Sequence, residues 1–149
     1  MNNKKISKIK VIALDLEGTL ISNAVSQFPR PYLYEFLEFL RESFERIVLF
    51  TAVSQTRVKD IINNLLESKD IPEWFKTDVD YIIWTGIYKD LNYIPNIKLG
   101  EVLLLDDQEA YILPEQKEYC VLVPEFEYPY SNTDNILKLI IQLLKENYA

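Results

Sequence analysis

The amino-acid sequence predicts an α/β fold built on one five-stranded parallel sheet. Two observations support this prediction. First, short apolar runs typical of buried strands alternate along the chain with segments whose apolar residues recur at helical spacing, which favours a parallel sheet covered on both faces. Second, the chain has 149 residues, of which 48% are hydrophobic, so it can bury a sizeable core. We therefore expect a single domain over residues 1–149.

The predicted strands are apolar runs bounded by polar residues. The first and fourth strands resemble each other, since each is wholly apolar over most of its length and ends in acids. The five runs cover residues 9–16, 46–52, 80–86, 101–107 and 119–126.

Helices are predicted between these strands and at the end of the chain. Residues 30–44 form the first, because Pro31 suits a first turn and apolar residues follow at helical spacing. Residues 58–66 carry one apolar face of the second helix. Pro95 excludes a long helix before the fourth strand, where a short helix and a loop are expected. The last helix lies within residues 131–149, and Thr133 or Asp134 can cap it.

The composition excludes several classes of function. The net charge is −7, with 16 Lys and Arg against 23 Asp and Glu, which disfavours a nucleic-acid binder. No apolar stretch reaches about 18 residues, so no membrane span is expected. The chain contains no His, which excludes Ser-His catalysis, Cys-His catalysis and metal sites built on imidazole. Chemistry must come from carboxylates, Lys, hydroxyl groups and backbone amides.

Cys120 is the only cysteine, so the chain cannot form an internal disulfide. It lies in the fifth predicted strand, where a buried packing thiol is the ordinary interpretation. A chain without disulfides fits the cytoplasm, which is the location that we expect.

Acidic pairs follow the first and fourth predicted strands. Asp15 and Glu17 end the first strand, and Asp106 and Asp107 end the fourth. Ligands of open parallel sheets bind outside the carboxyl ends of the strands, so adjacent strands would crowd these acids into one crevice. Such like charges need protons or a cation, and a set of oxygen ligands suits Mg²⁺. The alternative for the fourth strand alone is a solvated acidic turn.

Two further polar residues lie where this crevice is expected. Thr51 ends the second strand and can offer its hydroxyl and nearby N–H groups to an anion. Lys89, between the third and fourth strands, can pair with the carboxylates or with phosphate oxygens. Each has an ordinary alternative, since Thr suits strands and Lys suits surfaces.

Together, these four elements resemble the motifs of the haloacid dehalogenase (HAD) superfamily of phosphohydrolases. That superfamily has a strand ending in Asp-x-Asp-x-Thr, a strand ending in Thr or Ser, a Lys, and a strand ending in acids. The sequence has DLEGT at residues 15–19, FTA with Thr51, Lys89, and LLDD with Asp106 and Asp107. The resemblance implies a Rossmann-like three-layer αβα sandwich, and we expect the strand order 5-4-1-2-3.

Longer stretches are similar to one branch, the NLI-interacting-factor-like phosphatases, which include the small phosphatases of the RNA polymerase II C-terminal domain. Residues 30–52, RPYLYEFLEFLRESFERIVLFTA, fit that branch's pattern from its Arg-Pro pair to its Phe-Thr-Ala strand end. The segment KDL at residues 89–91, followed by VLLLDDQEAYI at residues 102–112, fits it as well. The resemblance implies a phosphatase.

The resemblance also implies roles for the residues at the first strand end. Asp15 would be the nucleophile, taking the phosphoryl group as an aspartyl phosphate and ligating Mg²⁺. Glu17 would be the general acid and base, and its backbone carbonyl would touch the metal.

The other motif residues would bind the phosphoryl group or the ion. Thr51, with the backbone N–H of Ala52, would bind phosphoryl oxygens. Lys89 would orient Asp15 and offset negative charge in the transition state. Asp106 and Asp107 would hold Mg²⁺, directly or through water.

The chain departs from the family pattern in two ways. Glu17 stands where most of the superfamily has Asp, although members resembling enolase-phosphatase also have Glu there. Only residues 21–28 separate the first motif from the first helix, where the polymerase-tail phosphatases carry a longer insertion. We therefore expect a capless HAD-like domain with an open active site.

An open site favours a phosphate on a large or extended substrate, such as a phosphoprotein. Three alternatives remain at this point: a binding module that has lost catalysis, a small-molecule phosphatase whose lid comes from a partner, and a phosphotransferase.

Overall fold

The structure, a computed structural model, describes residues 9–148. Five parallel strands form one sheet with the order β3-β2-β1-β4-β5. Counted from the other edge, this is the predicted order 5-4-1-2-3, so the predicted α/β fold and strand order are confirmed. The strands are β1 (Val11–Leu14), β2 (Arg46–Leu49), β3 (Asp80–Tyr81), β4 (Val102–Asp106) and β5 (Cys120–Leu122).

The α-helices follow the predicted order, with shifted ends. They are α1 (Leu33–Ser43), α2 (Gln55–Glu67), α3 (Trp74–Asp78) and α4 (Ile136–Asn147). Tyr32 has a φ of 71°, so helical geometry starts only after it, and Pro31 precedes α1 instead of lying in its first turn. Asp134 Oδ1 accepts the Ile136 N–H at 3.1 Å, but the N-cap residue of the last helix is Asn135 and not the predicted Thr133 or Asp134. Within residues 9–148, no helix combines the length and apolarity that crossing a membrane requires.

The two faces of the sheet are covered differently. Alternate strand residues, such as Ile12 and Leu14, pack against all four α-helices in one hydrophobic cluster. The opposite strand residues, such as Val11 and Ala13, pack against Ile82, Leu91, Ile94 and Ile112 in a second cluster. These partners belong to loops and short 3₁₀ helices, since the described residues place no α-helix on this second face. The predicted third strand is shorter than expected and ends at Tyr81, although the Ile82 N–H still donates to the Leu49 carbonyl at 3.0 Å.

A compact loop joins β1 to α1 beside the carboxyl edge of the sheet. It contains two isolated bridges, between Glu17 and Ile21 and between Ile21 and Pro29. The Arg30 N–H donates to the Leu20 carbonyl at 2.9 Å, which closes the loop on itself. The first motif is thereby held directly over the ends of the central strands.

Candidate active site

The site begins with the alignment of three strand ends. Leu14, the last residue of β1, pairs with Leu49 of β2 on one side and Leu105 of β4 on the other. The strands run parallel, so the residues that follow reach the same edge of the sheet. Asp15, Thr51 and Asp106 are accordingly brought together there, each 5% exposed or less.

Lys89 reaches the same edge of the sheet from the layer of loops and 3₁₀ helices that covers the second face. Its Nζ lies 2.8 Å from Asp15 Oδ1 and 2.5 Å from Asp106 Oδ2, and its side chain is fully buried. Tyr111 positions it twice, because the Lys89 N–H donates to the Tyr111 carbonyl at 2.7 Å and Nζ lies 4.7 Å from the Tyr111 ring centroid. The predicted pairing of Lys89 with the carboxylates is therefore present in the structure.

Burial dominates the electrostatics of this cluster. It raises the pKa of Asp15 well above its ordinary value, although the Lys89 ammonium opposes the shift. Burial likewise raises the pKa of Asp106 against the opposing charge of Lys89. Burial alone would lower the pKa of Lys89, but the carboxylates of Asp15 and Asp106 together raise it. Lys89 is therefore cationic at neutral pH.

Asp107 completes a group of three carboxylates that can hold a metal ion. Asp15, Asp106 and Asp107 each offer an oxygen, and these oxygens lie within 4.8 Å of one another. The Thr19 hydroxyl lies 3.0 Å from both Asp15 Oδ2 and Asp107 Oδ1 and so ties two of them together. Three carboxylates and one buried ammonium leave two negative charges when all are ionised. A divalent cation would neutralise them, and oxygen ligands suit a hard ion.

An open cavity of about 300 Å³ lies above this cluster. Lys89 and Asp106 have fully buried side chains and do not line it, so Lys89 acts on the cavity through Asp15 and through the local field. The predicted site residues that line the cavity are Asp15, Glu17, Thr51, Ala52 and Asp107.

Thr51 and Glu17 occupy the wall of the cavity in different ways. Thr51 Oγ1 accepts the Val53 N–H at 3.1 Å, which leaves its hydroxyl proton available to another acceptor. Glu17 Oε2 accepts the Ala24 N–H at 2.6 Å, so its carboxylate is held by the loop. Glu17 is not among the three clustered carboxylates, but it shares the cavity with Asp15.

Arg30 was not predicted as a functional residue, yet it organises the loops of the site. Its side chain is fully buried, pairs with Asp134 at 3.0 Å and donates to the carbonyls of Thr19 at 3.2 Å and Pro124 at 2.7 Å. The Arg-Pro pair at residues 30–31 was visible as part of the family pattern, but nothing in the sequence indicates that this Arg is buried. Gly18 and Thr19 were also not predicted as site residues, but they lie inside the DLEGT motif, which could have indicated them.

Comparisons with known proteins agree with this geometry. A family model described as NLI interacting factor-like phosphatase matches residues 10–149. The chain is also 29% identical over 180 aligned residues to a CTD phosphatase-like protein of Invertebrate iridescent virus 3, with 93% of this chain and 94% of that protein covered. The resemblance found in the sequence is therefore confirmed. The chain belongs to the NLI interacting factor-like phosphatases, and it is a phosphatase of the HAD type.

Proposed function

We propose that the chain hydrolyses phosphomonoesters with the help of Mg²⁺ and through an aspartyl phosphate on Asp15. The observation that carries this proposal is the position of Asp15. Its carboxylate lies at the base of an open cavity, bonded to Lys89 and Thr19, beside two further aspartates. Lys89 Nζ donates to Asp15 Oδ1 and the Thr19 hydroxyl lies 3.0 Å from Asp15 Oδ2, so contacts at both oxygens restrict the rotation of the carboxylate.

The first half of the reaction transfers the phosphoryl group to the protein. A carboxylate oxygen of Asp15 attacks phosphorus and forms a P–O bond while the bond to the ester oxygen breaks. The Glu17 carboxyl gives its proton to the leaving oxygen, which departs as an alcohol.

The second half returns the protein to its starting state. The Glu17 carboxylate takes a proton from a water, and the resulting hydroxide attacks the phosphorus of the aspartyl phosphate. The bond between phosphorus and Asp15 breaks, so inorganic phosphate leaves and Asp15 is free again. Glu17 regains in this step the proton that it lost in the first.

The surrounding residues stabilise charge during both transfers. The Thr51 hydroxyl and the Ala52 N–H bind phosphoryl oxygens, and Lys89 holds Asp15 and offsets its negative charge. Asp15, Asp106, Asp107 and the backbone carbonyl of Glu17 would hold Mg²⁺. When bound there, the ion supplies positive charge that shields the phosphoryl oxygens from the attacking carboxylate.

The substrate that fits best is an exposed phosphate, as on a phosphoprotein. The cavity is open, and among residues 9–148 its lining comes from the segments that follow β1, β2, β4 and β5. We place the reaction in the cytoplasm, because a chain with one cysteine cannot form an internal disulfide. A nucleic-acid substrate does not suit a net charge of −7.

The test is turnover of p-nitrophenyl phosphate by the wild type and by Asp15→Asn, with Mg²⁺ and with a chelator. We expect turnover that requires both Mg²⁺ and Asp15, and acid-quenched wild type that carries a covalent phosphate on Asp15. Equal rates in the two proteins would contradict the proposal. Absence of turnover with any phosphomonoester, in protein that still binds phosphate, would favour the binding module instead.

A further inference from the structure

The wall of the cavity is acidic beyond what the catalytic cluster needs. Glu125 and Glu127 line it in addition to Asp15, Asp107 and the proposed general acid Glu17. No Lys or Arg lines it among residues 9–148. Arg57 lies beside the loop, but its guanidinium donates to the Ala24 carbonyl at 3.2 Å and is outside the lining.

This charge opposes the entry of a bare phosphate. A divalent ion balances the two negative charges left by the three aspartates and Lys89, but Glu125 and Glu127 of the wall stay uncompensated. The pKa of Glu125 is raised by burial and by the charges of Asp107 and Glu127, so these carboxylates share one negative field. A phosphomonoester dianion meets this field unless the substrate brings a positive charge of its own.

Aromatic rings stand next to these carboxylates on the loop after β5. Phe126 and Tyr130 line the cavity, with ring centroids 5.3 Å apart, and Tyr128 stacks edge-on against Tyr130 at 6.0 Å. Tyr128 is 82% exposed, so its ring faces solvent beside Tyr130. Aromatic faces attract cations, and Phe126 already carries the Arg30 guanidinium 5.3 Å from its centroid. Rings and carboxylates side by side form a surface that suits a cationic group.

We propose that the preferred substrate is a phosphomonoester with a cationic group close to the phosphate, such as a phosphorylated side chain flanked by Lys or Arg. Glu125, Glu127 and Tyr130 would recognise that cationic group while Asp15 receives the phosphoryl group. The inference rests on the proposed function, because it concerns the substrate of the same cavity.

Matched phosphoserine peptides test the inference, one with Lys on both sides of the phosphoserine and one with Glu at the same positions. We expect kcat/KM to be about tenfold higher for the Lys peptide at low ionic strength, with the ratio shrinking as salt is added. A second pair of substrates, phosphocholine and glycerol phosphate, tests whether a cationic group also raises kcat/KM for a small molecule. If only the peptide pair shows the preference, the cationic group belongs to a protein side chain. If only the small pair shows it, the cationic group belongs to a metabolite.

The double variant Glu125→Gln/Glu127→Gln tests whether these two residues of the cavity wall cause the preference. We expect its selectivity ratio to fall toward one, whereas Glu115→Gln, an exposed glutamate in a 3₁₀ helix away from the cavity, retains the wild-type ratio. Wild type that prefers the cationic substrate in neither pair, or a double variant that keeps the preference, overturns the inference.

Turnover of p-nitrophenyl phosphate distinguishes failure of the inference on substrate class from failure of the proposed function. Turnover of that substrate through Asp15, without a cationic preference, overturns only the inference on substrate class. Loss of Asp15-dependent turnover altogether overturns the proposed function and, with it, the inference.

Discussion

Gly18 shows how closely the first motif fits around the carboxylate cluster. Its φ is +78°, a conformation that costs a residue with a side chain roughly 1–2 kcal/mol. A Cβ at this position would lie only 2.3 Å from Asp107 Oδ2. Asp107 is one of the three carboxylates that can hold an ion, so the glycine leaves room for the site itself.

Gly18→Ala is expected to displace Asp107 and to abolish Mg²⁺-dependent turnover. The strain and the clash together should lower the free energy of unfolding by about 2–4 kcal/mol. Urea unfolding and p-nitrophenyl phosphate turnover measure the two effects. Gly86→Ala is the matched control, because Gly86 has a φ of +90° but nothing within 4 Å of an added Cβ. This control should lose the stability that the backbone strain costs but keep normal turnover. Equal activity of the two variants would contradict the role of Asp107 in the site.

Lys89→Met is expected to leave two buried carboxylates without their partner. Breaking a buried ion pair in this way costs about 3–5 kcal/mol of stability. Turnover should fall by about 10²-fold or more, since a preorganised donor is lost from the reacting group. The comparison is Lys117→Met, whose ammonium lies 3.3 Å from Glu109 with both side chains at least 60% exposed. That variant should lose less than about 1 kcal/mol. Similar losses in the two variants, measured by urea unfolding, would argue against a paired buried Lys89.

Between elements, Arg30 connects three segments that the chain keeps far apart. It bonds the motif loop through Gly18 and Thr19, the loop after β5 through Pro124, and the start of α4 through Asp134. The same loops carry Thr19, which holds two aspartates, and the acidic wall of the cavity. Arg30 is therefore a positioning residue for both the catalytic cluster and the cavity wall.

Arg30→Met should destabilise the protein by about 3–5 kcal/mol, because Asp134 and the carbonyls lose a buried partner. Arg41→Met is the control, since Arg41 pairs with Asp78 at 2.7 Å at a surface where both side chains are almost half exposed. It should cost less than about 1 kcal/mol. The urea unfolding midpoints compare the two variants. Arg30→Lys should recover part of the loss, because Lys keeps the positive charge but lacks the planar guanidinium with its several donors. Equal midpoints for the two Met variants would show that Arg30 does not tie the loops.

Secondary structure was predictable where apolar periodicity was long and regular. The central strands and α1, α2 and α4 lie within a few residues of their predicted positions. Prediction was poorer for the third strand, which ends at Tyr81 although its apolar run continues, and Ile82 after it packs as a loop residue against Leu91. An apolar run alone does not distinguish these two uses.

For the site, the residues that end strands and the pairing of Lys89 with them were predictable, whereas contacts made by the loops were not. Asp15, Thr51 and Asp106 follow parallel strands, so topology alone brings them together. The contact of Glu17 with the Ala24 N–H depends on how a loop folds back, which no local pattern records. The buried position of Arg30 depends on three distant segments meeting, and the same holds for the wall formed by Glu125 and Glu127.

On the scale of the whole molecule, the fold concentrates negative charge at one edge of the sheet. Asp15 and Asp106 are buried there with raised pKa values, so the folded chain without metal binds more protons than the unfolded chain above the ordinary Asp pKa of 3.8. By linkage, these two groups make the metal-free protein lose stability as pH rises from 3.8 through their raised pKa values. Lys89 adds no slope in this range, because its pKa is raised from 10.5.

Mg²⁺ binding should reverse this loss, because the ion takes the place of the protons. We expect the stabilisation by Mg²⁺ to be smaller at a pH below the raised pKa values of Asp15 and Asp106 than at a pH above them, where it reaches about 2.7 kcal/mol when free Mg²⁺ is about a hundredfold above its Kd. Thermal unfolding with Mg²⁺ and with a chelator, at both pH values, measures it. Asp107→Asn should weaken the stabilisation at both, and Asp15→Asn should also flatten the metal-free slope because it removes a titrating carboxylate. A Mg²⁺ effect that is independent of pH, or one that survives both substitutions, would mean that the ion binds elsewhere and that the aspartates at the strand ends form no metal site.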